Sequence, residues 1–102
     1  MVNNTEYPNL AFFYILRGIP GTIYVYPGSK YPKIICEGHD YGIHIKYASR
    51  TTWRCTSYSK CKCPAKLVTK QGIVEIHGEH NHENLMQIPK NIKAQKVTIV
   101  RM

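Results

Sequence analysis

Acidic residues are scarce in this sequence. Fourteen lysines and arginines stand against six aspartates and glutamates, and none of those six falls in residues 84–102. Long apolar runs are missing as well. A membrane span needs roughly 18 or more apolar residues, whereas the longest stretch here, Leu10 to Leu16, has seven. No lysine or arginine precedes that stretch, although a secretory leader requires a basic lead-in. These absences point away from a membrane and towards an intracellular chain, in which thiols stay reduced and bind metals rather than pairing as disulfides. No glycine-rich phosphate loop is present, and no nucleophile can be placed beside a base. The chain therefore reads as a non-enzyme with no small-molecule substrate. There is no internal repeat, and no amphipathic helical period appears anywhere in 22–83.

What is present divides into three parts. Residues 1–21 form an N-terminal arm with one acid and one base, Glu6 and Arg17, around the apolar LAFFYIL. That stretch is expected either to cover the core or to form an exposed contact strip. Residues 22–83 hold nine basic and five acidic residues, and 84–102 form a basic tail with Lys90, Lys93, Lys96 and Arg101. The basic excess in the last two parts raises the prior for a polyanionic partner.

From Thr22 the pattern is that of strands. Thr22 to Tyr26 is β-branched and aromatic, and Pro27 to Lys30 is a turn by composition. Lys33 to Cys36 follows. Tyr41 to Tyr47 alternates, with Tyr41, Ile43, Ile45 and Tyr47 on one face and His44 and Lys46 on the other. Thr51 to Thr56 alternates likewise, placing Trp53 and Cys55 together and Arg54 opposite. Ala65 to Thr69 and Ile73 to Gly78 complete the set. Lys96 to Val100 is open to two readings, a further strand or a loose tail. The expected fold class is small all-β: an antiparallel sheet of four to five strands with one structural zinc site at the sheet end.

The cysteines and histidines carry the chemistry. Structural zinc takes four cysteine or histidine ligands in a tetrahedron. His80 and His82 stand two apart, so in an extended backbone both imidazoles face one side. Seven residues separate Cys55 from Cys63, enough for two neighbouring strands to present one thiolate each, and sixteen separate Cys63 from His80, room for one hairpin. The candidate ligands of a Zn2+ ion are Cys55, Cys63, His80 and His82. Cys61 meets the spacing as well as Cys63 does, and His77 is a substitute ligand. Cys36 lies in an apolar strand and is expected in the core. His39 and His44 have no assigned part in the metal site.

With these residues in view, Tyr24 to His82 resembles a FLYWCH-type zinc finger. Tyr41 matches the family's Tyr, Trp53-Arg54-Cys55 its Trp-x-Cys, Cys63-Pro64-Ala65-Lys66-Leu67 its second cysteine and following run, and His80-Asn81-His82 its closing histidines. Tyr24 and Ile34 stand at the Phe and Leu positions. FLYWCH domains are in turn similar to plant WRKY domains, in which one strand enters the DNA major groove. The corresponding strand here is Tyr41 to Tyr47, without the WRKY strand's basic run. The resemblance implies a nuclear, zinc-binding module of transcription or chromatin regulation that contacts double-stranded DNA. The candidate contacts are His44, Lys46, Arg50, Arg54, Lys60, Lys62 and Lys66. The alternative it implies is a protein–protein interaction module with a chromatin partner, as at the C-termini of insect BTB proteins, using the Tyr-rich N-terminal face and the LAFFYIL arm.

Overall fold

The computed structural model describes residues 21–83 and 89–102; the LAFFYIL stretch lies outside them. Eight strands and one helical turn are present among the described residues. In chain order they are β1 (Thr22–Pro27), β2 (Pro32–Cys36), β3 (His39–Lys46), β4 (Thr51–Cys55), α1 (Tyr58–Cys61), β5 (Lys66–Lys70), β6 (Ile73–His77), β7 (Lys93–Lys96) and β8 (Thr98–Arg101). They form a single sheet in the order β7-β1-β2-β3-β4-β5-β6-β8. Strands β1 to β6 are an antiparallel meander.

Two tight turns set the register of that meander. Gln71 and Gly72 both take positive φ, 46° and 80°, between the paired residues Lys70 and Ile73. Glu37 and Gly38, at 52° and 82°, do the same between Cys36 and His39. Two consecutive positive φ values make the type I′ turn, whose twist matches that of the strands it joins.

The expected count of four to five strands is corrected to eight, and the sheet is not wholly antiparallel. β7 pairs antiparallel with β1, whereas β8 pairs parallel with β6. Only Val97 separates β7 from β8, so one C-terminal run reaches both edges of the meander. The Val97 amide donates to the Gly21 carbonyl and the Thr98 amide to the Gly72 carbonyl, each at 2.8 Å. The sheet thereby curls into a near-barrel. All four residues of β7 are exposed, so this strand carries no apolar alternation by which the sequence would announce it.

Most of the interior takes alternate residues from successive strands, and Tyr24 and Ile35 are buried in a second, smaller cluster with Tyr26 and Ile92 packed against them. Ile23, Ile34, Tyr41, Trp53, Leu67, Val74 and Ile76 are buried in one cluster with Cys36, Cys55 and Cys63, and Val97 and Ile99 pack against it. Burial of a Leu67-sized side chain contributes roughly 1.5–3 kcal/mol. Cys36 is a core residue, and burial pushes its thiol up to about 12.

One local feature alters the alternation expected for β3. Ile43 pairs with Trp53, but Ile45 pairs with Thr52 and Lys46 with Thr51, so the register shifts between Ile43 and Ile45. The extra residue of such a bulge reverses parity. Thr52 Oγ1 seals the irregularity, accepting from the Ile45 amide at 3.1 Å and donating to the Ile45 carbonyl at 3.3 Å. Ile45 therefore lies with Thr52 on the outer face, and Lys46 lies with Thr51 and Trp53 on the other. The expectation that Ile43 and Ile45 share one face of β3, with Lys46 on the other beside His44, is corrected by this bulge.

Candidate metal centre and basic face

Three strand ends meet at one end of the near-barrel. Cys55 closes β4, Cys63 lies just before β5, and His80 and His82 follow β6. Gly78 makes the last approach possible. Its φ is 76°, and a Cβ there would stand 2.9 Å from the Pro64 carbonyl oxygen. Only a residue without a side chain lets the chain pass Pro64 and turn its histidines inward.

The donor atoms of Cys55, Cys63, His80 and His82 all lie within 4.8 Å of one another. His82 Nε2 is 3.2 Å from Cys55 Sγ, and His80 Nδ1 is 3.4 Å from Cys63 Sγ and 3.4 Å from His82 Nε2. A tetrahedron built on ordinary zinc–sulfur and zinc–nitrogen bonds has edges of about 3.3–3.8 Å. These separations fit such a polyhedron, and the donor set is the soft and borderline one that zinc prefers.

The second ring nitrogens are also committed. His80 Nε2 is 2.7 Å from the Tyr41 hydroxyl, and His82 Nδ1 is 2.9 Å from the Glu83 carbonyl. A proton on each of these outer nitrogens leaves His80 Nδ1 and His82 Nε2 as the donors that converge. Such partners fix tautomer and ring orientation in metal sites. His39 stacks on the His80 ring with centroids 3.4 Å apart and planes 8° from parallel. Burial, then the neighbouring His39 and His82, lowers the His80 pKa to about 4, so the ring is neutral at pH 7 with a lone pair to give. Burial raises the Cys55 thiol to about 11. Its ionisation at neutral pH requires a cation among the four donors.

Cys61 has a different place. It ends α1 with its thiol on the Ser57 carbonyl at 3.3 Å and on Asn81 Oδ1 at 3.2 Å, while Asn81 Nδ2 donates to the Cys61 carbonyl at 3.0 Å. Lys62, left-handed at φ 56°, then redirects the chain. This reversal is why Cys61 and Cys63 do not lie side by side as they would in an extended strand. Asn81, between the two histidines, clamps α1 onto the site. His77, the substitute ligand, points elsewhere and bonds to Glu75 at 3.1 Å.

The basic candidates fall into two groups. Arg54 Nη2 is 2.7 Å from His44 Nε2, and its guanidinium lies 4.2 Å from the Tyr58 ring centroid, with Lys62 Nζ over the same ring at 5.1 Å. Lys66 pairs directly across from Arg54. Lys46 and Arg50 are instead at the β3–β4 hairpin end, with Arg50 over the Tyr47 ring at 4.6 Å. Lys60 is exposed on α1. Lys33 was not among the basic residues expected from the sequence. It faces outward opposite Gly42, which in turn pairs with Arg54. Lys33, Gly42, Arg54 and Lys66 therefore form one row across four strands. No alternation in β2 signalled Lys33, because Ile34, Ile35 and Cys36 are apolar and buried in succession.

A small β domain with a Cys2His2 cluster at the sheet end has the architecture of a zinc finger. Residues 24–82, more than half the chain, match the family of the FLYWCH zinc finger domain, and the chain belongs to that family. No curated protein and no solved structure matches it.

Proposed function

We propose that Cys55, Cys63, His80 and His82 hold a structural zinc ion, and that the domain is a nuclear DNA-binding module in transcription or chromatin regulation, not an enzyme. A metal held at this end ties β4, the start of β5 and the segment after β6 together and leaves no protein donor unused. The observation that carries the DNA reading is the outer row Lys33–Gly42–Arg54–Lys66. Three inter-strand steps span about 14 Å, and a DNA strand carries one charge per ~3.4 Å of axis, so the row matches a short run of phosphates. Gly42 leaves a gap in its middle, and His44, Tyr58 and Lys62 flank it. Most of these contacts would position the backbone rather than read bases.

The test is a salt titration of the zinc-loaded protein on random duplexes. Three phosphate contacts give a slope of log K against log salt near −2.7, since each contributes about −0.9. Lys33→Ala with Lys66→Ala should make the slope shallower by about 1.8. No duplex binding at low salt would exclude the DNA reading, and the family setting in BTB-type chromatin proteins would then favour a protein partner.

A further inference from the structure

At the end of the near-barrel remote from the cysteines and histidines, the described residues leave the interior open. A cavity of about 450 Å³ is bounded by the end of β3, the start of β4, the β5–β6 turn and Val97. This volume falls in the roughly 300–1,000 Å³ range of small-molecule sites. Its inner wall is apolar and belongs to the core: Ile23, Ile34, Trp53 and Val74. The Trp53 indole nitrogen donates to Thr69 Oγ1 at 2.9 Å, which fixes the ring at the wall. Among the described residues, the charged ones of the lining are Lys46, Arg50 and Lys70, with no aspartate or glutamate. Lys70 is taken by Glu75 at 3.1 Å, which leaves Lys46 and Arg50 as the cations of the mouth. The β3 bulge is what places Lys46 here.

An apolar interior with two cations at its entrance is complementary to an apolar body carrying one anionic head. We infer that this mouth binds a free single-chain amphiphile with a carboxylate or phosphate head, its chain against Trp53 and its head between Lys46 and Arg50. The site lies at the opposite end from the metal cluster and on the other face from the Lys33–Arg54–Lys66 row, so it stands or falls independently of both.

Trp53 is the only tryptophan and reports directly. The experiment titrates the full zinc-loaded chain with dodecanoate below its micelle concentration and follows tryptophan emission. A saturable shift to shorter wavelength is expected. Lys46→Glu with Arg50→Glu should weaken it at least about tenfold, equivalent to ~1.4 kcal/mol. Val25→Phe, which fills the cavity without changing charge, should abolish it while leaving the circular dichroism spectrum intact. Equal binding of dodecyltrimethylammonium, or indifference to the double charge reversal, overturns the anion preference. A response to phosphatidylglycerol vesicles but not to monomeric dodecanoate overturns the free ligand in favour of a membrane surface. No response in the native chain also overturns the inference. If Phe12→Ser with Phe13→Ser then restored a response, the chain's own apolar segment would be identified as the occupant.

Discussion

Replacing Tyr41 by Phe removes one oxygen and leaves the ring. Tyr41 is 2% exposed and pairs across to Cys55 in the next strand, so the phenyl ring of the variant fills the same space. Burial, reinforced by neighbouring cysteines, raises the Tyr41 pKa, and the phenol stays protonated. Its oxygen lies 2.7 Å from His80 Nε2. With His80 Nδ1 bound to a metal, the proton sits on Nε2 and donates to that oxygen. The Phe variant strands this donor in a half-buried site. A buried donor without its acceptor costs about 1–3 kcal/mol, and loss of a partner behind a metal-bound histidine typically costs about 10–100-fold in affinity. The two estimates agree. We therefore expect Tyr41→Phe to weaken zinc binding about 10–100-fold at pH 7, measured by competition with a chromophoric chelator, with little change in the circular dichroism of the zinc-saturated protein. An affinity within about twofold of the native chain would refute the role of Tyr41 behind His80.

Cys63→Ser should abolish zinc-dependent folding, since structural zinc contributes an apparent ~10–16 kcal/mol, whereas Cys61→Ser should spare it and loosen only the contact to Asn81; circular dichroism with and without chelator ranks the two. Gly78→Ala should destabilise the zinc-loaded domain by about 1–3 kcal/mol in denaturant unfolding, because it combines left-handed strain with a close approach to the Pro64 carbonyl. The pH dependence follows from His80, whose folded pKa is about 4 against 6.5 for the free side chain. Between those values the unfolded chain takes up a proton that the folded chain refuses, so stability is full above about 6.5 and falls as the pH drops towards 4. Protons compete with the metal for the same nitrogen, and zinc release monitored over this range should move in the same direction.

The sequence by itself determined what depends on neighbours along the chain. Thr51 to Cys55 alternates so that Trp53 and Cys55 share the inner face, and the i, i+2 spacing of His80 and His82 lets both converge. Glycines at the Glu37-Gly38 and Gln71-Gly72 turns mark where the meander reverses. The choice between Cys61 and Cys63 needed the structure, because α1 and the left-handed Lys62 break the extended backbone on which their equivalence rested. His39 was silent for another reason: its stack on His80 joins residues 41 apart in sequence, which no local period encodes. The β3 bulge inserts a parity change that alternation cannot register, and it sends Lys46 to the cavity mouth and leaves Arg54 with Lys33 and Lys66. Of the two closing strands, β8 falls largely within Lys96 to Val100, one of whose two readings was a strand, whereas the exposed β7 was hidden. β7 is held by backbone hydrogen bonds to the β1 edge, which ask almost nothing of its exposed side chains, while Val97 and Ile99 of the same run pack against the core.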